Sequence, residues 1–237
     1  TTRTVSFNVN DGTADSNTQT RNIAVTAVND APTLTTVSPL PGATEDTAFT
    51  IGFATLGAAS NTNDVDGDSL QFRIEAVSSG TLTKGGTAVV PGTTLLGTGE
   101  SLVWTPATNA NGTLNAFTVR AWDGALASAT AVQVQVQVAA VNDAPTLTTV
   151  SALPGATEDT AFTISFATLG AASNTNDVDG GSLQFRIETV SSGTLTKGGS
   201  AVVPGTTLLG TGESLIWTPA TNANGTLNAF TVRAWDG

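Results

Sequence analysis

An all-β fold of tandem Greek-key β-sandwich domains arranged end to end is predicted by three features. These are an internal repeat of domain size, period-2 alternation of apolar residues within it, and turn-forming dipeptides between the alternating stretches. Residues 29–124 and 142–237 superimpose at a constant offset of 113 without a gap and differ at six of 96 positions: Pro39/Ala152, Gly52/Ser165, Asp68/Gly181, Ala76/Thr189, Thr87/Ser200 and Val103/Ile216. That period is too long for one turn of a solenoid and close to the size of an autonomous domain. The stretch Thr4-Val5-Ser6-Phe7-Asn8-Val9-Asn10-Asp11-Gly12 repeats the pattern of Phe117-Thr118-Val119-Arg120-Ala121-Trp122-Asp123-Gly124. Residues 1–28 are therefore expected to be the closing hairpin of a preceding repeat, 29–141 a complete repeat, and 142–237 a following repeat lacking its last strand, so that the chain reads as a cut from a longer array.

Along the complete repeat the alternation marks the strands in turn. Phe49, Ile51 and Phe53 share one face of a strand, with Gly52/Ser165 expected between inward neighbours. Leu70, Phe72 and Ile74 share a face of the next, followed by Leu102 with Trp104, and Phe117 with Val119 and Ala121. In the last strand Val132, Val134, Val136 and Val138 alternate with Gln133, Gln135 and Gln137. One buried and one wet face per strand is the pattern of antiparallel sheets. Pro41-Gly42, Asp66-Gly67, Ser79-Gly80, Gly85-Gly86, Pro91-Gly92, Asn111-Gly112 and Asp123-Gly124 supply the turns. With no helix expected between them, the repeat reads as a sandwich of about seven strands.

Composition narrows the chemistry. The chain has no Cys, His, Tyr or Met, which excludes thiol nucleophiles, imidazole acid–base catalysis, disulfides and soft-metal ligands. No enzyme activity is expected. With 19 acidic and 8 basic residues the formal net charge is −11, which opposes nucleic acid and anionic membrane surfaces and favours cations as partners.

Strand parity gathers carboxylates that are distant in sequence. If the first strand runs away from the linker Val28-Asn29-Asp30-Ala31-Pro32, its far end carries Glu45 and Asp46 to the opposite pole. The second strand returns to the linker pole at Asn61-Thr62-Asn63-Asp64-Val65-Asp66-Gly67-Asp68, and Trp122-Asp123-Gly124 arrives there four strands later. A seventh strand then descends into Val141-Asn142-Asp143-Ala144-Pro145. The first expected cation site comprises Asn29, Asp30, Asp64, Asp66 and Asp123. The second comprises Asn142, Asp143, Asp177, Asp179 and Asp236, joined by Glu45 and Asp46 from the repeat before it. Such a gathering would be opposed by roughly 4 kcal/mol per close pair at an effective dielectric near 20, a cost that a divalent cation reverses. Calcium suits the set, since it accepts many carboxylate, amide and carbonyl oxygens in flexible geometry, whereas magnesium demands a tight octahedron and keeps its waters.

The succession Glu45-Asp46-Thr47, Asp64-Val65-Asp66-Gly67, Val119-Arg120-Ala121-Trp122-Asp123-Gly124 and Val141-Asn142-Asp143-Ala144-Pro145 resembles the calcium-binding motifs of cadherin repeats. More closely, it resembles the cadherin-like tandem repeats of giant bacterial surface adhesins exported by type I secretion, over the whole chain. One departure is that the Asp-Arg-Glu motif of animal cadherins is absent; Thr105-Pro106-Ala107-Thr108-Asn109-Ala110-Asn111-Gly112 stands in that loop. The resemblance implies calcium-rigidified extender repeats, acting as a structural spacer in cell adhesion at the cell surface or outside it. Calcium ions and neighbouring repeats would be the partners, with glycans or other surface proteins recognised by other regions.

Other readings attach to the same residues. Asp and Asn make good turns without any metal. Asp64, Asp66, Asp68 and Glu75 sit at EF-hand spacing, but Ser69 replaces the required glycine. Asp68, matched by Gly181, is expected to be a solvated turn residue. Trp122 and Trp235, outward by alternation, are expected to pack across the junction beside the metal; the alternative is that they are sugar platforms in a glycan- or partner-binding module. Arg73 and Arg120 are expected to be exposed strand residues, Glu75 and Glu100 to lie apart. The repeats could also be accessory spacers of a large extracellular enzyme or toxin.

Overall fold

Apolar residues at every second position produce strands that are apolar on one face, and the chain pairs them into sandwiches. The computed structural model describes residues 2–237, in two compact units, Thr1–Ala139 and Ala140–Gly237. The first unit begins with the hairpin β1 (Thr2–Phe7) and β2 (Gln19–Ala24). The repeat proper then runs β3 (Leu40–Thr44), β4 (Phe49–Gly52), α1 (Phe53–Ala59), β5 (Gln71–Val77), β6 (Thr81–Lys84), β7 (Thr87–Ala88), β8 (Leu95–Leu96), β9 (Ser101–Thr105), β10 (Gly112–Trp122) and β11 (Val132–Ala139). The larger sheet has the order β3-β11-β10-β5-β8 and the smaller β4-β9-β6-β7. Seven strands have four or more residues and two have only two, which agrees with the expected sandwich.

The core lies between the two sheets. Phe72, Ile74, Phe117, Val119, Val134 and Val136 face Ile51, Leu82, Leu102 and Trp104, all buried. Trp104 donates its indole N–H to Ser79 O at 2.8 Å, so the one polar atom of the largest core side chain is satisfied. The neighbouring Gly80 has φ +64°, and a Cβ there would lie 2.2 Å from Thr105 O; only glycine fits. Lys84 crosses between the sheets, donating to Leu95 O at 2.6 Å and to Glu100 Oε2 at 2.7 Å.

Two expectations are corrected. Phe53 does not continue the strand of Phe49 and Ile51; it opens α1, and Leu56 in that helix is buried. Gly52/Ser165 is consequently a helix N-cap. Gly52 offers no side-chain cap, whereas Ser165 accepts from Thr168 N at 3.0 Å. Phe53 still packs on the core, its ring 5.7 Å from that of Phe72. Arg73 and Arg120 are half-buried, not exposed: Arg73 pairs with Glu75 at 2.6 Å and Arg120 lies 3.9 Å from the same carboxylate. Glu75 and Glu100 lie apart, as the sequence suggests, each with its own basic partner.

The second unit contains β12 (Phe162–Ser165), α2 (Phe166–Ala172), β13 (Gln184–Val190), β14 (Thr194–Lys197), β15 (Ser200–Ala201), β16 (Leu208–Leu209), β17 (Ser214–Thr218) and β18 (Phe230–Trp235). Its smaller sheet matches that of the first repeat, but the larger is reduced to β16-β13-β18. Residues 153–157, identical to β3, form no strand, and β18 is six residues long where β10 is eleven. Phe230 and Val232 are half-exposed where Phe117 and Val119 are fully buried.

Phe117→Ala is accordingly expected to cost about 3–5 kcal/mol, and Phe230→Ala clearly less because less area is lost; calorimetric unfolding of the two variants checks this difference. The hydrogen bond from Lys84, then that from Gly97 N, holds the Glu100 carboxyl below its usual range, and Lys197 with Gly210 does the same for Glu213. Carboxyls depressed in the folded state stabilise above their unfolded pKa, and this contribution is lost as pH falls through the folded value. The double variant Glu100→Gln, Glu213→Gln should show a shallower loss of melting temperature below about pH 4.5 than the parent.

Candidate metal centre

Polar loop residues assemble the linker pole of the first repeat. Asp64 Oδ1 accepts from Asp66 N at 2.8 Å and Gly67 N at 3.2 Å, an Asx turn that shapes the loop between α1 and β5. Asp66 Oδ2 then accepts from Asp30 N of the linker at 2.7 Å. Asn29 Nδ2 donates to Asp123 Oδ2 at 3.0 Å. Asp123 Oδ1 takes the N–H groups of Ala125 and Leu126, both at 2.6 Å. Its carboxyl is held below the usual range by the Leu126, Ala125 and Asn29 hydrogen bonds in that order. Asn29, Asp30, Asp64, Asp66 and Asp123 are thus brought together as expected.

The second repeat builds the same pole. Asp177 Oδ1 accepts from Asp179 N at 2.9 Å, Asp179 Oδ2 from Asp143 N at 2.6 Å, and Asp236 Oδ2 from Asn142 Nδ2 at 2.7 Å. A carboxylate oxygen of Asp143 lies within 4.8 Å of one of Asp179. Six of the eight basic residues are engaged on the sheets, by Glu75, Glu100, Glu188 and Glu213, and Arg3 and Arg21 lie in the β1–β2 hairpin. The other oxygen of the loop aspartate stands out: Asp64 Oδ2 and Asp177 Oδ2 are shielded from solvent without a hydrogen-bond donor. Burying a carboxylate oxygen unpaired is expensive, and here the same atom is buried twice, one repeat apart. An orphaned anionic oxygen among carboxylates fits a hard oxygen-seeking cation such as calcium.

Glu45 and Asp46 are engaged within their own repeat. Asp46, at φ 55°, accepts from Asn109 N at 3.0 Å, and buried Glu45 accepts from Asn111 Nδ2 at 3.1 Å. Asn111 precedes the eleven residues of β10 and Asp123 follows them, so these carboxylates lie a strand length away from Asp64 and Asp66, roughly 35 Å. Asp68 is exposed, as expected of a solvated turn residue. Trp122 and Trp235 are half-buried, each with a guanidinium over its ring, Arg73 at 4.9 Å and Arg186 at 4.8 Å, so one face of each indole is already covered.

Sequence reasoning missed the bracket that holds the linker to the loop. Asn61 Oδ1 accepts from Thr35 N and Thr36 N at 3.0 and 2.9 Å, and Thr33 exchanges two backbone hydrogen bonds with Asn63; Asn174 and Asn176 repeat both features. The signal available was the asparagine-rich run before Asp64.

Residues 29–137 and 142–237, most of the chain, match the model of the bacterial Ig domain family. The chain belongs to the bacterial Ig domain family. The bacterial Ig domain is a non-catalytic domain type, typically found in extracellular or surface proteins. No curated protein matches the chain. Among solved structures the chain is similar to an endo-fucoidan hydrolase of glycoside hydrolase family 107, at 18% identity and a TM-score of 0.32 over 100% of this chain and 32% of that one. It is also similar to the D00-D0 domain of intimin (13%, TM-score 0.29, 86% and 97%) and to EC1-4 of Drosophila N-cadherin (15%, 0.30, 99% and 54%). The chain spans about a third of the length of the hydrolase.

Asp123→Ala removes the acceptor of both the Ala125 and Leu126 N–H groups. Faster amide exchange at those two positions, with the core amides of β10 unchanged, is the expected outcome by hydrogen-exchange NMR.

Proposed function

We propose that the linker pole of each repeat binds calcium and that the chain is a calcium-rigidified extender segment of a secreted or cell-surface adhesin. The ligands would come from Asn29, Asp30, Asp64, Asp66 and Asp123 in the first repeat and from Asn142, Asp143, Asp177, Asp179 and Asp236 in the second. The observation that carries this reading is the orphaned oxygen, Asp64 Oδ2 and Asp177 Oδ2, shielded at the same place in both repeats. Calcium would supply the positive charge and the open coordination sphere that several carboxylates require. Asn29-Asp30 and Asn142-Asp143 belong to linkers, so ligation ties each linker to the repeat that follows it. Modules outside the cell typically bind calcium at about 10⁻⁴–10⁻³ M, so these poles would fill after export and stay empty in the cytosol. The bacterial Ig family supports an extracellular spacer, and the role is mechanical, with no reaction to catalyse.

At about 10 mM calcium, binding in that range stabilises each site by roughly 1.5–2.7 kcal/mol, a rise in melting temperature on the order of 5–15 °C. The chain is expected to show this rise, and the double variant Asp64→Asn, Asp177→Asn to lose most of it. Without calcium that variant should melt no lower than the parent, because a shielded carboxylate oxygen without a donor is gone from each repeat. No calcium-dependent shift in the parent, or an equal shift in the variant, would refute the reading; calorimetry in calcium and in chelator measures both.

A further inference from the structure

Of the six positions at which the repeats differ, only Asp68/Gly181 changes charge, and it falls in the acidic loop of each linker pole. The position is aimed at one atom. A Cβ at Gly181 would lie 2.9 Å from Asp177 Oδ2, the shielded oxygen that lacks a donor. Gly181 is outside the left-handed region, so its backbone accepts a side chain, and the atom that would have to give way is the end of an aspartate. In the first repeat that side chain is present. Asp68 stands on a loop with the same bonds: Asp64 Oδ1 accepts from Asp66 N at 2.8 Å where Asp177 Oδ1 accepts from Asp179 N at 2.9 Å. Asp66 Oδ2 accepts from Asp30 N at 2.7 Å where Asp179 Oδ2 accepts from Asp143 N at 2.6 Å. Asp68 therefore leaves the main chain beside Asp64 Oδ2, and its exposed carboxylate has no hydrogen bond or ion pair among the described residues.

We infer that Asp68 is a further calcium ligand of the first pole, and that an acidic residue at position 68/181 raises the affinity of the pole that carries it. This ligand role rests on the calcium reading of the poles. Asp64 would give the ion its orphaned Oδ2, and Asp68 would reach the same ion by rotation about its own side-chain bonds. Calcium affinity rises with the number of charged ligands and with the rigidity of the site that holds them. Main-chain N–H groups already fix Asp64 and Asp66, so Asp68 adds charge to a frame that is set without it. The second repeat, with Gly181, keeps that frame and has one carboxylate fewer in the loop. One position thus tunes one pole and leaves the fold alone.

The test is a calcium titration of the whole 237-residue chain followed by NMR at the Gly67 and Gly180 amides, one in each acidic loop, beside the variants Asp68→Gly and Gly181→Asp. Because the second repeat already holds this loop with glycine, Asp68→Gly is expected to fold. Asp68→Gly should raise the calcium concentration for half-saturation at Gly67 about tenfold and leave Gly180 unchanged, and Gly181→Asp should lower it at Gly180 by a similar factor and leave Gly67 unchanged. In about 1 M potassium chloride, where the Debye length is about 3 Å, both ratios should persist, because a ligating oxygen lies about 2.3–2.6 Å from the ion. Saturable binding at Gly67 that Asp68→Gly leaves unaltered, a Gly181→Asp chain no tighter at Gly180 than the parent, or ratios that vanish in the concentrated salt would overturn Asp68 as a ligand while the calcium reading stands. No saturable change at either glycine of the parent would overturn both.

Discussion

Eight residues, Val132–Ala139, hold the larger sheet of the complete repeat closed by pairing on two sides at once, antiparallel with β10 and parallel with β3. The consequences spread well beyond the strand. β10 extends to eleven residues, β3 exists as a strand at all, and Phe117, Val119 and Ala116 lose their contact with solvent. Each depends on a backbone partner whose N–H and C=O groups would otherwise be left to water. In the second repeat, of nearly the same sequence, β18 pairs with β13 alone among the described residues, and none of the three features is present.

The smaller sheet behaves in the opposite way. β12, β14, β15 and β17 reproduce β4, β6, β7 and β9 in both length and register. Trp217 keeps the bond to Ser192 O at 2.8 Å that Trp104 makes to Ser79 O. The linker pole likewise keeps its geometry from one repeat to the other. Its aspartates are fixed by Asx turns and by bonds from linker N–H groups a few residues away in space, so Asp143–Asp179 and Asp30–Asp66 repeat within 0.1 Å. A site built on local turn chemistry survives changes in the sheet beside it.

Much of the pole was legible in the sequence, because strand parity alone brings Asp64, Asp66, Asp123 and Asn29 to one end of a sandwich. The bracket made by Asn61 was not, since an asparagine side chain can turn on its own backbone or reach across to another segment with equal ease. Nor was the helix at Phe53. The run Phe53-Ala54-Thr55-Leu56-Gly57-Ala58-Ala59 is short and apolar, and such runs fit a buried strand or a helical turn alike. Leu56 settles into the core as a helical residue, while Phe53 at the start of the helix packs its ring on Phe72.

The sequence by itself determined which residues face inward, where the chain turns and which carboxylates share a pole. All of these follow from period-2 alternation and from the turn preferences of Gly, Asn and Asp, which act within a few residues. Tertiary structure alone decided whether Leu-Pro-Gly-Ala-Thr becomes a strand, as at residues 40–44, or stays irregular, as at 153–157. A strand's hydrogen bonds are made to another segment, in this case one about 95 residues further along the chain, so identical residues take different structures where that pairing is made and where it is not.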